Sequence, residues 1–163
     1  MNNLKKLVIF DLDNTVIDST HRYATLPNSQ DIDLPFWIAN CTRENIALDT
    51  LLPAIETMRS KYNTTGVMVA ICTARVMSPW DWKFLRDNNV PFHYAMHRPK
   101  GCATADALLK KQQILKLAEE IGMSIHQVTK IELYDDNASV LKMARSIGIN
   151  GFCALKLNRE LSL

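Results

Sequence analysis

The stretch Lys6-Leu7-Val8-Ile9-Phe10-Asp11-Leu12-Asp13-Asn14-Thr15 decides how the rest of the chain is read. Lys6–Phe10 is a short β-rich apolar run and reads as a strand. Directly after it come two carboxylates two residues apart, where the backbone leaves the sheet. Further β-rich runs follow at Val67–Cys72 and at residues 92–96, 131–134 and 152–155. Longer segments of helical period separate them. Leu51, Leu52, Ile55 and Met58 make one apolar stripe, and Leu108, Leu109, Ile114, Leu115 and Leu117 fall mainly on another. Strands alternating with helices predict an α/β fold: a three-layer, Rossmann-like parallel sheet with helices on both faces. Ser78-Pro79 reads as an N-cap with proline at the first helical position, and Gly122 and Gly148 stand where helices end in a left-handed residue.

The 163 residues, 47% apolar and 22% charged, suit one globular domain with a sizeable core, expected to span 1–163. No repeat or low-complexity linker divides the chain. Residues 18–50 are the least regular part, with a turn at Pro27, Asn28 and Ser29 and a short helix near 35–40; they are expected to form an irregular loop or small flap. Nineteen basic against seventeen acidic residues give a charge of +2, too even for strong non-specific attraction to a phosphate backbone. Cys41, Cys72, Cys102 and Cys153 lie far apart, without close pairs, and read as free thiols in a reducing compartment. The first apolar run stops at Asp11, far short of a signal-peptide core or membrane span, so a cytoplasmic protein is expected, with no membrane and no obligate protein partner indicated.

In an open parallel sheet, ligands bind beyond the carboxyl ends of the strands. The residues there are Asp11 and Asp13, then Thr73 and Arg75, then Asp135 and Asp136, with Lys110 and Lys111 on the helix after the third strand. Carboxylates gathered at one edge raise one another's pKa values unless a cation neutralises them. The ligands on offer are all oxygens, which suits magnesium. Thr73 and a lysine add donors for an anionic substrate.

Asp11-Leu12-Asp13-Asn14-Thr15, Thr73, Lys110 and Asp135-Asp136 resemble, in order and spacing, the four motifs of the haloacid dehalogenase superfamily, and aspartate at position 13 points to its phosphatase branch. Arg98, Gly101, Asp106, Lys110, Asp135-Asp136 and Ile147-Gly148 are most similar to the phosphatase domain of phage-type polynucleotide kinase phosphatases, although Cys102 and Thr104 replace an acidic residue and an arginine of that pattern. No Gly-rich phosphate loop is present, so a kinase half is not expected.

The resemblance implies a phosphomonoester hydrolase in which Asp11 is the nucleophile and Asp13 the general acid and base. Mg2+ is then expected on Asp11, the backbone carbonyl of Asp13 and Asp135, with Asp136 acting through water or around those ligands. Thr73, Lys110 and Arg75 are expected to hold the phosphate, Arg75 alternatively pairing with a carboxylate. The choice of Lys110 over Lys111 rests on the resemblance alone. Only about thirty-seven residues separate Thr73 from Lys110, which leaves no room for a large cap there.

An open site admits a nucleic-acid 3'-phosphate end or a nucleotide. Another small phosphate ester is the second reading, and a non-catalytic binding protein of the same fold the third. A polymer would need a local basic groove, with Arg22, Arg75, Arg98 and Lys100 as its candidates. His21 and Arg22 are further candidate substrate contacts, Trp37, Trp80 and Trp82 could stack on bases, and His93 with His97 lacks the cysteines a zinc site would want.

Overall fold

The structure is a computed structural model and describes residues 4–29 and 32–163. Its main sheet has five parallel strands in the order β5-β4-β1-β6-β7: β1 is Lys6–Phe10, β4 Val67–Cys72, β5 Tyr94–Met96, β6 Ile131–Asp135 and β7 Asn150–Cys153. A central parallel strand is covered on both faces, so its side chains alternate between two cores rather than between core and water. Val8 and Phe10 of β1, with Val69 and Ile71 of β4, pack with Ile55, Met58, Phe84 and Leu85. Leu7 and Ile9, with Ala70, Cys72, Ile131 and Leu133, pack with Ile114, Leu117, Val140 and Ala144 on the other face. The helices thus divide into two layers: α3 (Ala54–Tyr62), α4 (Pro79–Asp87) and α7 (Ala154–Leu161) on one side, α5 (Asp106–Glu120) and α6 (Ala138–Ser146) on the other.

The ends of these elements follow local chemistry. Ser78 caps α4 by accepting from the Asp81 N–H, while the Ser78 N–H donates back to the Asp81 carboxylate, with Pro79 at the first turn. Gly122 and Gly148 both take positive φ after a helix, as expected. The strand expected from residue 92 begins only at Tyr94. Before it, the Val69 N–H donates to His93 Nδ1 at 3.0 Å, so an imidazole stands where a strand carbonyl would. The last strand lies earlier than residues 152–155, because Ala154 and Leu155 already belong to α7.

The described residues of the 18–50 segment, 18–29 and 32–50, form more regular structure than an irregular loop. β2 (Ile17–Asp18) and β3 (Thr50–Leu51) pair antiparallel and draw the two ends of the segment together. Between them come a single 3-10 turn at Thr20–Arg22, α1 (Leu34–Ala39) and α2 (Arg43–Ala47), each α-helix capped by a side chain, Asp33 and Thr42. Arg43 lies over the Trp80 ring at 5.0 Å and links α2 to α4. No helix among the described residues is long and apolar enough to cross a membrane.

Candidate active site

Because β4, β1 and β6 are neighbours and parallel, their carboxyl ends open on the same edge. Phe10 pairs with Ile71 on one side and Tyr134 on the other, so Asp11, Thr73 and Asp135 leave the sheet side by side. The Asp11 N–H still donates to the Tyr134 carbonyl at 3.0 Å, which fixes its backbone. Asp11, Asp135 and Asp136 each offer a carboxylate oxygen, all within 4.8 Å of one another. Lys110, fully buried on α5, reaches into this group: its Nζ lies 2.7 Å from Asp135 Oδ2, 3.1 Å from Asp11 Oδ1 and 3.5 Å from Asp106 Oδ2. Lys111 takes no part in these pairs.

Burial is the main force on these acids. It pushes the Asp11 carboxyl well above the usual range, with Asp135, Asp136 and Asp13 adding repulsion and Lys110 opposing. Asp135 is raised for the same reason, again against Lys110. Asp136 is raised to about 6 by burial and by the Asp135 charge. One ammonium among several buried carboxylates leaves a negative charge that a hard divalent cation would relieve. The oxygen-only donor set of Asp11, Asp135 and Asp136 fits such an ion.

Asp13 is held differently. Burial alone would raise its carboxyl, but the Arg75 charge and hydrogen bonds, helped by Ser19, bring it below the usual range. Arg75 Nε donates to Asp13 Oδ2 at 2.8 Å and Nη2 to Oδ1 at 2.6 Å, a two-pronged pair, and Ser19 Oγ donates to Oδ1 at 2.5 Å. The remaining Arg75 nitrogen, Nη1, donates to Asp81 at 2.8 Å, and Nη2 also approaches Asp49 at 3.4 Å. Asp49 in turn receives Arg22 through Nε and Nη2, both at 2.9 Å, and His21 at 2.8 Å. The turn that carries Asp13 is set by Asn14, whose φ of 58° suits asparagine better than most side chains, and by Asn158 of α7, which donates to the Thr15 carbonyl. The buried Thr15 hydroxyl has no hydrogen-bond partner among the described residues.

Several expectations are corrected by this geometry. Of the two roles expected of Arg75, the structure shows the pairing with carboxylates rather than the phosphate contact: three aspartates surround a guanidinium that is only 4% exposed. Arg22 is buried against Asp49 rather than offered to substrate, and His21 joins it there. Arg98 donates to the carbonyls of Ala74, Cys102 and Thr104. Of the four cations expected to line a polymer groove, three are thereby engaged within the protein. The Asp13 carboxylate stands outside the group of Asp11, Asp135 and Asp136, which leaves the expectation for its backbone carbonyl untouched. Trp82 packs on Phe92 and His97, and His93 stacks on Tyr62, so neither histidine is arranged for metal. Thr73 is buried and accepts from the Arg75 N–H at 3.1 Å, which leaves its hydroxyl hydrogen free to donate.

Asp49 and Asp81 were not anticipated as parts of the site. Asp81 carries a signal, the Ser-x-x-Asp capping pattern at a strand-to-helix junction. Asp49 carries none.

Over all its 163 residues the chain matches the protein family described as bacteriophage T5 5'-deoxynucleotidase. The chain belongs to the bacteriophage T5 5'-deoxynucleotidase family. A 5'-deoxynucleotidase of Escherichia phage T5 is 27% identical over 175 residues, covering 99% of this chain and 72% of that protein. Among solved structures, a HAD-superfamily hydrolase of Geobacter sulfurreducens superposes with a TM-score of 0.59 at 16% identity, over 91% of this chain and 86% of that one. A chain of the Pnkp1/Rnl/Hen1 complex gives a TM-score of 0.66 at 20% identity, over 94% of this chain but only 46% of that one. This member of the T5 deoxynucleotidase family is therefore a phosphatase on the haloacid dehalogenase fold.

Proposed function

We propose that the protein hydrolyses free deoxynucleoside 5'-monophosphates, with Mg2+, through a phosphoryl group carried on Asp11. The observation that carries the substrate is the full-length match to a family named for that activity. The engaged arginines support a free nucleotide over a polymer end, because phosphate-backbone affinity needs unpaired cations.

Asp11, Asp135 and Asp136 would hold the ion, which supplies charge neutralisation at the phosphoryl oxygens. Lys110 and the Thr73 hydroxyl orient those oxygens from the α5 and β4 sides. In the first step an Asp11 carboxylate oxygen bonds to phosphorus while the bond from phosphorus to the 5'-oxygen breaks. Asp13 gives that oxygen its proton, and the deoxynucleoside leaves. In the second step Asp13 takes a proton from water as the water oxygen bonds to phosphorus; the bond to Asp11 breaks and inorganic phosphate departs. Arg75 and Ser19 keep Asp13 aimed through both steps.

A substrate panel tests the reading. The expected order of kcat/KM places 2'-deoxynucleoside 5'-monophosphates above the 3'-monophosphates and above 3'- or 5'-phosphorylated oligonucleotides. Preference for a 3'-phosphorylated oligonucleotide at low salt would replace it with an end-repair activity.

A further inference from the structure

Helix α1 has the composition of a core element and the exposure of a surface one. Leu34, Pro35, Phe36, Trp37, Ile38 and Ala39 are all apolar, yet none is buried, and Leu34, Phe36 and Ile38 are 63%, 43% and 70% exposed. Apolar area left in water costs free energy in proportion to its extent. The helix is anchored through Trp37. Its ring lies 4.2 Å from the Arg22 guanidinium carbon and 5.8 Å from that of Arg75, and it tilts against Tyr23 at 6.4 Å. Arg75 in turn grips Asp13, so α1 stands one side chain away from the acid and base of the reaction.

Displacement in line fixes where the rest of the substrate goes. Asp11 approaches phosphorus from one side, the ester oxygen leaves from the other, and the group that protonates that oxygen must lie on the leaving side. The nucleoside therefore extends past Asp13, whose carboxylate is held by Arg75, and the Arg75 guanidinium carbon lies 5.8 Å from the Trp37 ring of α1. Both arginines beneath the Trp37 ring are neutralised by Asp49, Asp13 and Asp81, so this wall offers a neutral, apolar surface rather than a second anion site. A nucleobase is the part of the substrate that matches it.

We propose that α1, through Trp37 with Phe36 and Ile38, receives the nucleobase of the leaving nucleoside; the inference rests on the nucleotidase reading above. Stacking tolerates every base, because each has a π-face, so all four deoxynucleotides are accepted alike.

The test compares kcat/KM for deoxynucleoside 5'-monophosphates with that for 2-deoxyribose 5-phosphate, which has the same phosphate and no base. Wild type, Trp37→Ala and the exposed double variant Phe36→Ala/Ile38→Ala are measured. The nucleotide-to-sugar ratio is expected to fall about 10-fold in Trp37→Ala and to fall in the double variant, through KM. A loss shared equally by the two substrates would show only slackening of the Arg75 clamp and overturn the proposal. So would an unchanged ratio in a double variant that converts a dimer into a monomer, since α1 would then be covered by a second copy of the chain. Failure of the nucleotidase reading looks different: wild type itself would then turn over the deoxynucleotides no better than the base-free ester.

Discussion

Arg75 holds Asp13 by two parallel hydrogen bonds of 2.6 and 2.8 Å and is itself anchored by Asp81 at 2.8 Å, so a residue three positions beyond β4 sets both the direction and the charge of the acid and base. Because the guanidinium favours the ionised carboxylate, it prepares Asp13 as a base and opposes its protonated form. The first step needs that protonated form, so activity should decline as pH rises through the Asp13 pKa.

Arg75→Lys tests this relationship. A lysine keeps the charge but loses the fork, and we expect kcat to fall by about 100-fold, the scale of a misplacement near 1 Å. The alkaline limb of the kcat profile should also move to higher pH, since Asp13 loses the hydrogen bonds that depress it. A lower kcat with an unmoved alkaline limb would show that Arg75 supports the fold but does not tune Asp13.

Asp81 joins the capping box of α4 to the buried Arg75 network, so its removal should cost stability twice. Asp81→Ala removes the carboxylate half of the α4 capping box, which accepts from the Ser78 N–H, and takes one partner from a buried guanidinium, for a loss of about 3 kcal/mol. Calorimetry should show this as a fall of roughly 10 °C in Tm. A change below about 1 kcal/mol, the scale of an exposed pair, would mean that water replaces Asp81 at little cost.

The sheet and the acidic edge were legible because each rests on local pattern. Lys6–Phe10 and Val67–Cys72 are bounded as read, and Asp11, Asp135 and Asp136 follow from the rule that parallel strands deliver their carboxyl ends to one edge. Residues 18–50 were harder to read. Their helices have five or six residues, too short for a 3.6-residue period to declare itself, and β2 and β3 have two residues each. Arg22 was read as a substrate contact, and Arg75 as either that or the partner of a carboxylate, because Asp49 is distant in sequence from both and the β2–β3 pairing is what draws its segment in.

Binding of the ion should be visible in stability and should depend on pH. Asp136 has a folded pKa of about 6, above its unfolded value, so the folded state binds more protons than the unfolded chain between roughly pH 4 and 6. In metal-free protein, Asp136 therefore makes stability fall as pH rises through that window, and Asp11 and Asp135 act in the same direction. Mg2+ favours the ionised carboxylates and should reverse the trend. We expect the rise in Tm on adding Mg2+ to be several degrees at pH 7.5 and much smaller at pH 5, with Asp136→Asn flattening the difference. Equal shifts at both pH values would place the ion elsewhere.

The central claim is that Asp11 attacks phosphorus, and phosphate release by purified, folded Asp11→Asn at saturating Mg2+ and deoxynucleoside 5'-monophosphate tests it most directly. An amide is neither a nucleophile nor an anionic ligand, and turnover is predicted to fall on the order of 10,000-fold or more. Turnover within about 10-fold of wild type would contradict the account, because an effect that small is below what loss of a catalytic nucleophile produces.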